Sequence, residues 1–417
     1  MAQNDSPTQP NHTDEDAPLS GLVVIDFTRV MSGPYCTRLL ADMGATVYKI
    51  ERPGEGDEVR YVLPQLNPER SDQSAYFARL NAGKQSIAVN FAQPAAKELI
   101  HQMVAKADVL IENFSPGVMA KYGFDEPSLR AIKPGLIYCS ISGFGQTGPL
   151  TSMQAYAHLI NAFSGMMELE TGGVHAPRAS NLQAADVLAG GQAFGAICAA
   201  LLRRNRNGKG AHIDVSMLEC LVAGDDINYP ALLNGEPAPR RPRPGMLVQP
   251  VGERSIAMQL GGAPSMWPRM VALMDKPELE HDERFATPSD RRNNWPALSA
   301  VIGEWLAEFE NTDQAVEKLS TARIPSVPML MPEEIVDHPH MAERGAFPKV
   351  NHPVAGTATV TATPFQIDGK PVTPAGAVPY TIGENGREVL ADWLGYSDAQ
   401  LQKLIDEKVI ELPNLDK

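Results

Sequence analysis

Short apolar segments alternate with amphipathic segments between Gly21 and about Gly145. Apolar strands that alternate with helices are typical of a parallel sheet covered by helices on both faces. Because the crossovers in such sheets are right-handed, the pattern predicts an α/β fold with a Rossmann-like, doubly wound parallel sheet. The predicted strands are Leu22–Phe27, Ala45–Ile50, Ser86–Val89, Asp108–Glu112 and Leu136–Ile141, and the predicted helices are Tyr35–Met43, Pro94–Lys106 and Pro127–Ile132.

A second region follows a segment, Gly235–Gly245, that has too many prolines for a regular element. It predicts a smaller α+β domain, with a strand at Ser255–Leu260 and helices at Trp267–Met274, Asn294–Phe309 and Thr312–Leu319. The chain then returns to β-type alternation and closes with helices at Glu388–Leu394 and Asp398–Glu407. We therefore expect a disordered tail over 1–18, a large Rossmann-like domain over 19–225, a linker and small α+β domain over 226–330, and a return to the large domain over 331–417.

The composition is that of an ordinary globular protein, with 43% hydrophobic and 21% charged residues in 417. A formal net charge of −14 argues against nucleic acid or an anionic membrane as a partner. Met1–Ala17 lacks the basic and apolar regions of a secretory signal, and no apolar run approaches ~18 residues. We expect a cytoplasmic protein whose four separated cysteines are free thiols.

One segment, Gly143-Phe144-Gly145-Gln146-Thr147-Gly148, matches the glycine pattern of dinucleotide-binding proteins and follows an apolar strand. A nicotinamide dehydrogenase is therefore an alternative. Two features argue against it, because the pattern follows the fifth predicted strand and not the first, and because Pro149 comes directly after it. A glycine-rich strand exit explains the segment more simply.

The sequence contains no HExxH, no paired Cys/His spacing and no GxSxG pattern, so metal-dependent hydrolysis and serine esterase chemistry lack support. The closest histidine pair, His338 and His340, is interpreted as polar loop residues. We therefore predict no metal site.

Asp186 is the most informative residue in the chain, because it precedes a helical run of small residues, Gly190–Arg204. A carboxylate at the start of a helix is held in its ionised form by backbone N–H groups and by the positive helix end. An ionised carboxylate can attack a thioester without a partner base. The simpler alternative is that Asp186 only caps the helix.

Further segments follow one another in a characteristic order around this residue, and together they resemble the family III CoA-transferases from about Leu19 to Ile410. They are Asp26–Pro34, Leu39–Ala45, Lys49–Pro53 with Gly56-Asp57, Asn81–Lys84, Glu112–Gly117, Ser142–Gly145, Thr171-Gly172, Asp186, Arg203-Arg204 with Gly208–Gly210, Asp214–Met217, His338–His340, Ala342–Gly345 and Ile382–Asn385.

The resemblance implies that coenzyme A is bound as an acyl-CoA co-substrate by the domain over 19–225, and that Asp186 is the catalytic nucleophile. Phe144 is carried over as a further cofactor contact. The other positions carried over are Arg29, Val30, Met31 and Ser32 at the thioester end of the cofactor, Arg52 and Lys84 near its nucleotide, Asn113, Phe114 and Ser115 over the adenine, and Lys121 near the phosphates. Basic side chains suit this ligand, because CoA carries several phosphate charges.

Departures from the family pattern bear on the substrate. Met31 stands where the oxalate-specific branch has a glutamine, and Ser142 stands where it has a lysine, which argues against oxalate. The related α-methylacyl-CoA racemases keep the aspartate and add a histidine at the position of Tyr156. His158 lies two places later, which on a helix would turn it away. The racemase and a subunit of a heteromeric transferase remain as alternatives.

The resemblance further implies an interlocked homodimer that transfers CoA from an acyl-CoA, such as succinyl-CoA, to a small carboxylic acid. Gly261-Gly262 is similar to the family's mobile loop, which would exclude water from the reaction. Candidate residues for binding the acceptor carboxylate are Arg60, Arg240, Arg241 and Arg243, although each is also a plausible surface charge.

Overall fold

The computed structural model describes residues 16–171, 176, 178–180, 182–225, 228–237, 245–260 and 264–413. Within them the chain forms two compact units. The large unit comprises the chain up to Met167, Ala179–Asp225 and the chain from Pro339 onward. The small unit comprises Glu168–Arg178 and Asp226–His338.

The strands of the described chain are numbered in sequence order. They are β1 (Val23–Asp26), β2 (Thr46–Glu51), β3 (Gln85–Val89), β4 (Val109–Glu112), β5 (Ile137–Ser142), β6 (Ala211–Ser216), β7 (Met246–Val251), β8 (Arg254–Gln259), β9 (Ser326–Pro328), β10 (Lys349–His352), β11 (Gly356–Thr359), β12 (Gln366–Ile367), β13 (Lys370–Pro371) and β14 (Ile410–Glu411).

The α-helices are numbered in the same way, and several are single turns. They are α1 (Ser32–Asp42), α2 (Ala75–Asn81), α3 (Ala96–Lys106), α4 (Val118–Lys121), α5 (Glu126–Ile132), α6 (Ala157–Phe163), α7 (Met166–Glu170), α8 (Ala184–Asn207), α9 (Met217–Gly224), α10 (Asn228–Leu233), α11 (Met266–Met274), α12 (Pro288–Asn293), α13 (Trp295–Leu306), α14 (Thr312–Thr321), α15 (Pro332–Val336), α16 (Pro339–Glu343), α17 (Gly386–Glu388) and α18 (Asp398–Asp406). Short 3₁₀ turns lie at Glu58–Tyr61 and Pro277–Glu280, and a π-helical turn lies at Val389–Trp393.

The large unit is built on a seven-stranded sheet with the order β14-β3-β2-β1-β4-β5-β6. All of these strands run parallel except β14, which pairs antiparallel with β3. Apart from β14, this is the strand order of a doubly wound Rossmann sheet. The predicted α/β fold class is therefore confirmed, and all five predicted strands are present.

Alternation along the strands places one hydrophobic core on each face of this sheet, because successive side chains point to opposite faces. Val24 of β1 packs into a core with α1 and α8, while the next residue, Ile25, packs into a core with α3 and the C-terminal helices. Burial on both faces explains why these strands have nearly continuous apolar sequences.

Helix α8 starts six residues earlier than the run of small residues suggests, so that Asp186 lies in its first turn. It also has the length and mean hydropathy of a membrane span, contrary to the expectation that no such stretch exists. Of its most apolar window, 44% is buried within the protein, where α8 packs on α1 and on the sheet. A core helix of a globular domain passes the same test of length and composition, so this helix alone does not indicate a membrane protein.

The small unit has its own core of buried apolar side chains, including Trp267, Phe285, Trp295 and Trp305. Strands β7 and β8 of the antiparallel sheet β7-β8-β9 add further apolar side chains to this core. Strand β7 is an addition to the single strand that the sequence predicts in this region. The unit is of the α+β type.

Candidate active site

The carboxyl ends of β1 and β4 mark the place where the order of the large sheet reverses direction. Loops that leave neighbouring strands in opposite directions open a crevice at such a point, and doubly wound proteins bind ligands there. The loop after β1, Phe27–Met31, leads into α1, and the loop after β4 begins at Asn113. We call the first of these the β1 loop. Seven of the sequence-predicted site residues lie in or directly after these two loops.

Asn113 joins the two loops. Its side-chain oxygen accepts a hydrogen bond from the Arg29 N–H at 2.9 Å, and its amide nitrogen donates to the Arg29 carbonyl at 2.7 Å. The same nitrogen donates to the Ser32 hydroxyl oxygen at 3.3 Å. Asn113 therefore fixes the path of the β1 loop, which is a different role from the predicted contact over an adenine.

Asp186 is brought to the β1 loop by the close packing of α8 on α1. A Cβ atom at Gly190, one turn after Asp186, would lie 2.5 Å from the Ser32 carbonyl oxygen, which is closer than any side chain permits. The missing side chain lets the two helices touch. As a result Asp186 lies next to Ser32, which lowers the pKa of its carboxyl group.

The position of Asp186 excludes the capping interpretation, because the N-cap of α8 is Gln183 and it has no side-chain capping bond. Burial raises the pKa of Asp186 to about 6, against the opposing effect of Ser32 and of His158. The expectation that the helix end holds this pKa low is therefore wrong in direction. At neutral pH the group is still mostly ionised.

His158 and Tyr156 lie near the same carboxylate. Tyr156 is the residue before the first turn of α6 and lines the cavity that contains Asp186. His158, two residues later, is exposed and does not line this cavity, although it lowers the pKa of Asp186 through its charge. The His158 Nε2 atom lies 3.1 Å from the Gln183 amide nitrogen.

A cavity of about 310 Å³, the Asp186 cavity, opens above these groups. Among the described residues that line it, Arg29 is the one cationic side chain and Glu58 and Asp186 are the acidic ones. Predicted site residues account for much of the lining: Arg29, Val30, Ser32, Asn113, Phe114, Ser115, Phe144 and Asp186.

A second cavity, the Arg52 cavity, has a volume of about 640 Å³ and shares Arg29, Glu58, Phe114 and Ser115 with the first. Its walls are aromatic and carry both charges, with Arg29, Lys49 and Arg52 beside Glu51, Glu55, Asp57 and Glu58. The ring of Phe91 lies 5.9 Å from that of Phe114 and 5.1 Å from that of Tyr122, and the Arg29 guanidinium lies 5.1 Å from the Phe114 ring centre. Flat aromatic faces beside guanidinium groups suit a nucleotide.

Three predicted cofactor contacts lie at the edge of these cavities or outside them. Arg52 lines the larger cavity while its exposed guanidinium pairs with Glu55 at 2.9 Å. Lys121 is exposed at the end of α4, with its ammonium 5.5 Å from the Tyr122 ring centre, but it does not line either cavity. Met31 is 4% exposed and lies outside both linings.

Lys84 is completely buried, and the structure does not bring it to either cavity. Its ammonium lies 3.1 Å from the Asp26 carboxylate and donates to the Asn81 side chain at 2.8 Å. Burial lowers the pKa of Lys84 to about 8, and Asp26 limits that decrease. An ammonium enclosed in this way supports the β1 loop from below and has no surface to offer a phosphate.

The candidate acid-binding arginines differ in their placement. Arg60 is buried and makes two hydrogen bonds to Glu51, at 2.8 and 2.7 Å, so it is not available to a substrate. Arg240, Arg241 and Arg243 lie outside the described residues, as do Gly261 and Gly262. In the described chain no group of three or more His, Cys, Asp or Glu side chains has the arrangement of a metal site.

The glycine pattern after β5 has a structural explanation. A Cβ at Gly143 would lie 2.1 Å from the Ala155 side chain, and Gly145 and Gly148 have positive φ angles of 85° and 95°. No helix opens there, since α6 begins only at Ala157. The segment is a tightly packed turn, and the dinucleotide-binding interpretation is excluded.

Several contributors to the site are not evident from the sequence. Gly190, Phe91 and the buried groups Lys49 and Asp57 all shape the two cavities or the β1 loop. The small-residue character of α8 is a signal for a close helix contact, although it does not say which glycine makes it. The buried charges carry no signal of their own, because a lysine in a strand is ordinarily exposed.

Taken together, the fold and the site define a doubly wound α/β protein with a nucleotide-sized cavity that opens onto a buried carboxylate. Comparisons with known proteins agree. The family model of CoA-transferase family III matches residues 19–385. An acetyl-CoA:oxalate CoA-transferase of Acetobacter aceti is 36% identical over 363 residues, which is 84% of this chain and 90% of that protein.

Two further comparisons cover almost the whole chain. A succinyl-CoA:glutarate CoA-transferase of Mus musculus is 31% identical over 403 residues, which is 95% of this chain and 91% of that protein. The crystal structure of a CAIB/BAIF family protein from Brucella suis superimposes with a TM-score of 0.76 at 32% identity, covering 90% of this chain and 99% of the other. The chain belongs to CoA-transferase family III. It is a CoA-transferase, with CoA as co-substrate.

Proposed function

We propose that the enzyme transfers CoA from an acyl-CoA to a free carboxylic acid through a covalent intermediate on Asp186. The observation that carries the proposal is the placement of this carboxylate. It is nine-tenths buried, it lines a cavity at the switch point of the sheet, and it lies beside Ser32 at the start of α1. A nucleophile that is partly desolvated and already ionised at neutral pH needs no neighbouring base.

The reaction proceeds in balanced exchanges of acyl bonds. A carboxylate oxygen of Asp186 attacks the thioester carbon of the donor, the C–S bond breaks, and an aspartyl mixed anhydride and CoA thiolate result. The thiolate attacks the Asp186 carbonyl, which forms an aspartyl-CoA thioester and releases the donor acid. The acceptor carboxylate attacks that thioester and expels the thiolate, which then attacks the acceptor carbonyl of the new anhydride. Acyl-CoA leaves, and Asp186 is a carboxylate again.

The two cavities divide the cofactor between them. We place the nucleotide of CoA in the Arg52 cavity, where Phe91, Phe114 and Tyr122 offer faces for the adenine and Arg52 offers charge for phosphate. The thioester reaches the Asp186 cavity past Arg29 and Ser115, which line both. The ion pair between Arg52 and Glu55 is exposed and contributes little stability. A phosphate of CoA can therefore replace Glu55 as the partner of Arg52 at little cost in free energy.

The acceptor in this proposal is a small carboxylic acid, and the donor is succinyl-CoA or a related dicarboxylyl-CoA. The names of the relatives described above include oxalate and glutarate, which are both short dicarboxylates. The Asp186 cavity is small, and Arg29 is the cation on its described wall that a second carboxylate would meet. Of the two residues that argue against oxalate, Ser142 lines this cavity, and Met31 is buried outside its lining.

A homodimer belongs to the same proposal, with its two chains interlocked. Apolar side chains lie exposed along α6 and α8 of the large unit, namely Leu159, Phe163, Val187, Leu188 and Leu202. A second copy that covers these side chains would remove them from water. Light scattering of the purified protein tests the oligomeric state, and a monomer at micromolar concentration would contradict it.

Trapping the intermediate tests the chemistry directly. The enzyme is incubated with succinyl-CoA and then with hydroxylamine, and its peptides are analysed by mass spectrometry. The expected product is a hydroxamate on Asp186 only, and Asp186→Ala should lose transfer by several orders of magnitude while it still binds CoA. A label on a cysteine or serine, or transfer within about tenfold of the parent enzyme, would refute the covalent role.

One observation favours a second candidate, the racemase. His158 and Asp186 are close enough to interact electrostatically, and two such groups can act as acid and base at the Cα of an acyl-CoA. Incubation of a 2-methylacyl-CoA in D₂O, beside a transfer assay with a carboxylate acceptor, distinguishes the two. We expect transfer to exceed deuterium exchange, and the opposite result would favour the racemase.

A further inference from the structure

Val30, in the middle of the β1 loop, has a strained backbone. Its φ angle is 66°, in the left-handed region. The other non-glycine residues of the described chain with positive φ are Asp275, Arg323, Asp368 and Lys408, so Val30 is the one β-branched residue among them. A β-branched side chain is unfavourable in this region, and such a conformation persists only where surrounding contacts hold it.

A buried ion pair supplies those contacts. The Asp57 Oδ1 atom accepts a hydrogen bond from the Val30 N–H at 3.2 Å, and its Oδ2 atom lies 2.9 Å from the Lys49 ammonium. Lys49 in turn donates to the Thr28 carbonyl at 2.9 Å. The side chains of Lys49 and Asp57 are 0% and 1% exposed. The pair therefore holds the loop on both sides of Arg29.

Neighbouring groups fix the ion pair itself. The Asp57 N–H donates to Glu51 at 2.9 Å, and Glu51 is held by two hydrogen bonds from Arg60. Burial alone would lower the pKa of Lys49, but Asp57, Asp26 and Glu51 outweigh it and raise that pKa. Lys49 is therefore a permanent cation beneath the loop.

The geometry connects this pair to the nucleophile. Only Met31 separates Val30 from Ser32, and Met31 makes no side-chain capping bond at the start of α1. The direction of the Ser32 N–H therefore follows from the Val30 backbone. Ser32 lines the Asp186 cavity together with Val30 and Asp186, and it lowers the pKa of that carboxyl group.

We propose that the Lys49–Asp57 ion pair is a positioning element for CoA transfer, which holds Val30 in its left-handed conformation and thereby keeps Ser32 beside Asp186 on the wall of the Asp186 cavity. The inference rests on the function proposed for Asp186. A buried ion pair contributes little net stability compared with an apolar pair, whereas a charged acceptor makes a stronger and better oriented hydrogen bond to a backbone N–H.

The variant that tests this is Asp57→Asn, which keeps the shape of the side chain and removes its charge. Asp42→Asn is the matched control. Asp42 is also a buried carboxylate, it pairs with Arg38 at 2.8 Å, and it contacts Thr363 and not the β1 loop. Both variants lose a buried ion pair, so a purely structural role predicts similar effects for the two.

Three measurements separate the roles. Hydrogen exchange of a peptide that covers residues 28–34 should become at least tenfold faster in Asp57→Asn and stay within threefold in Asp42→Asn. The kcat of transfer should fall 10- to 100-fold in Asp57→Asn. Asp42→Asn should keep kcat within threefold.

The pH profile is the third measurement. The charged and titratable groups around Asp186 are Arg29, Glu58 and Tyr156 on the cavity wall, His158 on α6, and Tyr76 on α2, whose pKa is raised by burial and, among its charged neighbours, by Asp186. Arg29 lies in the β1 loop, and Ser32 directly follows it. When the loop loosens, Ser32 should lower the pKa of Asp186 less, and the acid limb of kcat/KM should move to higher pH in Asp57→Asn alone.

A double-mutant cycle with Val30→Gly separates the effect on the β1 loop from a general loss of stability. Glycine adopts positive φ without strain, so Asp57→Asn should reduce kcat at least fivefold less in the Val30→Gly background than in the parent. If Asp57→Asn does not fold, Lys49→Met enters the same cycle with the same expectation. Unchanged exchange of the loop, equal effects of Asp57→Asn and Asp42→Asn, or the absence of coupling to Val30 would each overturn the proposal.

A failure of the positioning role can be distinguished from a failure of the function proposed for Asp186. Asp186→Ala is assayed in parallel, and if it retains transfer, the covalent mechanism fails whatever Asp57→Asn shows. Hydrogen exchange of the loop needs no catalysis and reports on the ion pair in either case. If exchange accelerates and kcat does not change, the pair orders the loop without serving the reaction, and the positioning role is refuted.

Discussion

Replacing Asp186 by asparagine should stabilise the protein while it abolishes transfer. The physical reason is burial, which raises the pKa of this carboxyl from 3.8 to about 6. A raised pKa means that the folded chain holds the charged form less well than the unfolded chain does. Above the unfolded pKa, the ionised Asp186 therefore costs stability, and an uncharged amide does not carry that cost.

The magnitude follows from that rise in pKa. An increase from 3.8 to about 6, at roughly 1.4 kcal/mol for each pH unit, gives about 3 kcal/mol as the upper limit of the gain in the free energy of unfolding. Asparagine has nearly the shape of aspartate, so the packing around position 186 should change little. With the sign worked out, the difference between the variant and the parent should be small at pH 4, increase up to about pH 6 and stay constant at higher pH.

The assay is urea unfolding followed by circular dichroism at pH values from 4 to 8. Asp26→Asn is the contrasting control. Burial would raise the pKa of Asp26 as well, but the ammonium groups of Lys84 and Lys49 outweigh it and hold that pKa at about 2. Loss of that charge should therefore destabilise the fold at every one of these pH values. An Asp186→Asn variant that is less stable than the parent at pH 7, or a difference that does not vary with pH, would refute the reasoning.

Three further predictions follow from the site. The kcat/KM of transfer should fall about tenfold per pH unit below about 6, since the protonated form of Asp186 is not a nucleophile, and a flat profile down to pH 5 would contradict this. Gly190→Ala should reduce kcat at least 100-fold, because the new Cβ would lie 2.5 Å from the Ser32 carbonyl, whereas Gly191→Ala on the same helix, with nothing within 4 Å, should stay within threefold. Phe91→Leu should raise the Kd for CoA about tenfold in calorimetry, through lost stacking, while kcat changes less than threefold.

The main sheet of the large unit was predictable because its strands are buried on both faces and are therefore apolar almost throughout. Strand β6, Ala211–Ser216, is the exception and was missed. It is the edge strand of the sheet, and its residues His212 and Asp214 are exposed, so the sequence alternates and lacks the continuous run of its neighbours. Strand β14 has only two residues and gives no pattern at all.

For the site, the order of the sequence segments indicated the loops after β1 and β4 and the residue Asp186. What the sequence could not provide was the distinction between surface and interior cations. The sequence does not distinguish Lys84 and Arg60 from Arg29 and Arg52. In the structure, however, Lys84 is buried with Asp26, and Arg60 is buried with Glu51. The acidic partners of Lys84 and Arg60 lie 58 and 9 positions away in the chain. The local sequence does not show that the fold brings these partners together.

The charged groups beneath the β1 loop also determine how the enzyme responds to acid. Burial would raise the pKa of Glu51, but Arg60 and Lys49 reverse the effect and hold it at about 2, the same value as for Asp26. Between about pH 3 and pH 6, the proposed nucleophile should therefore be protonated while the framework under it keeps its charges. Acid inactivation in this interval should be a reversible titration and not an unfolding, so that activity returns within the mixing time when the pH is restored. We expect the enzyme to be dormant but folded after exposure to mild acid.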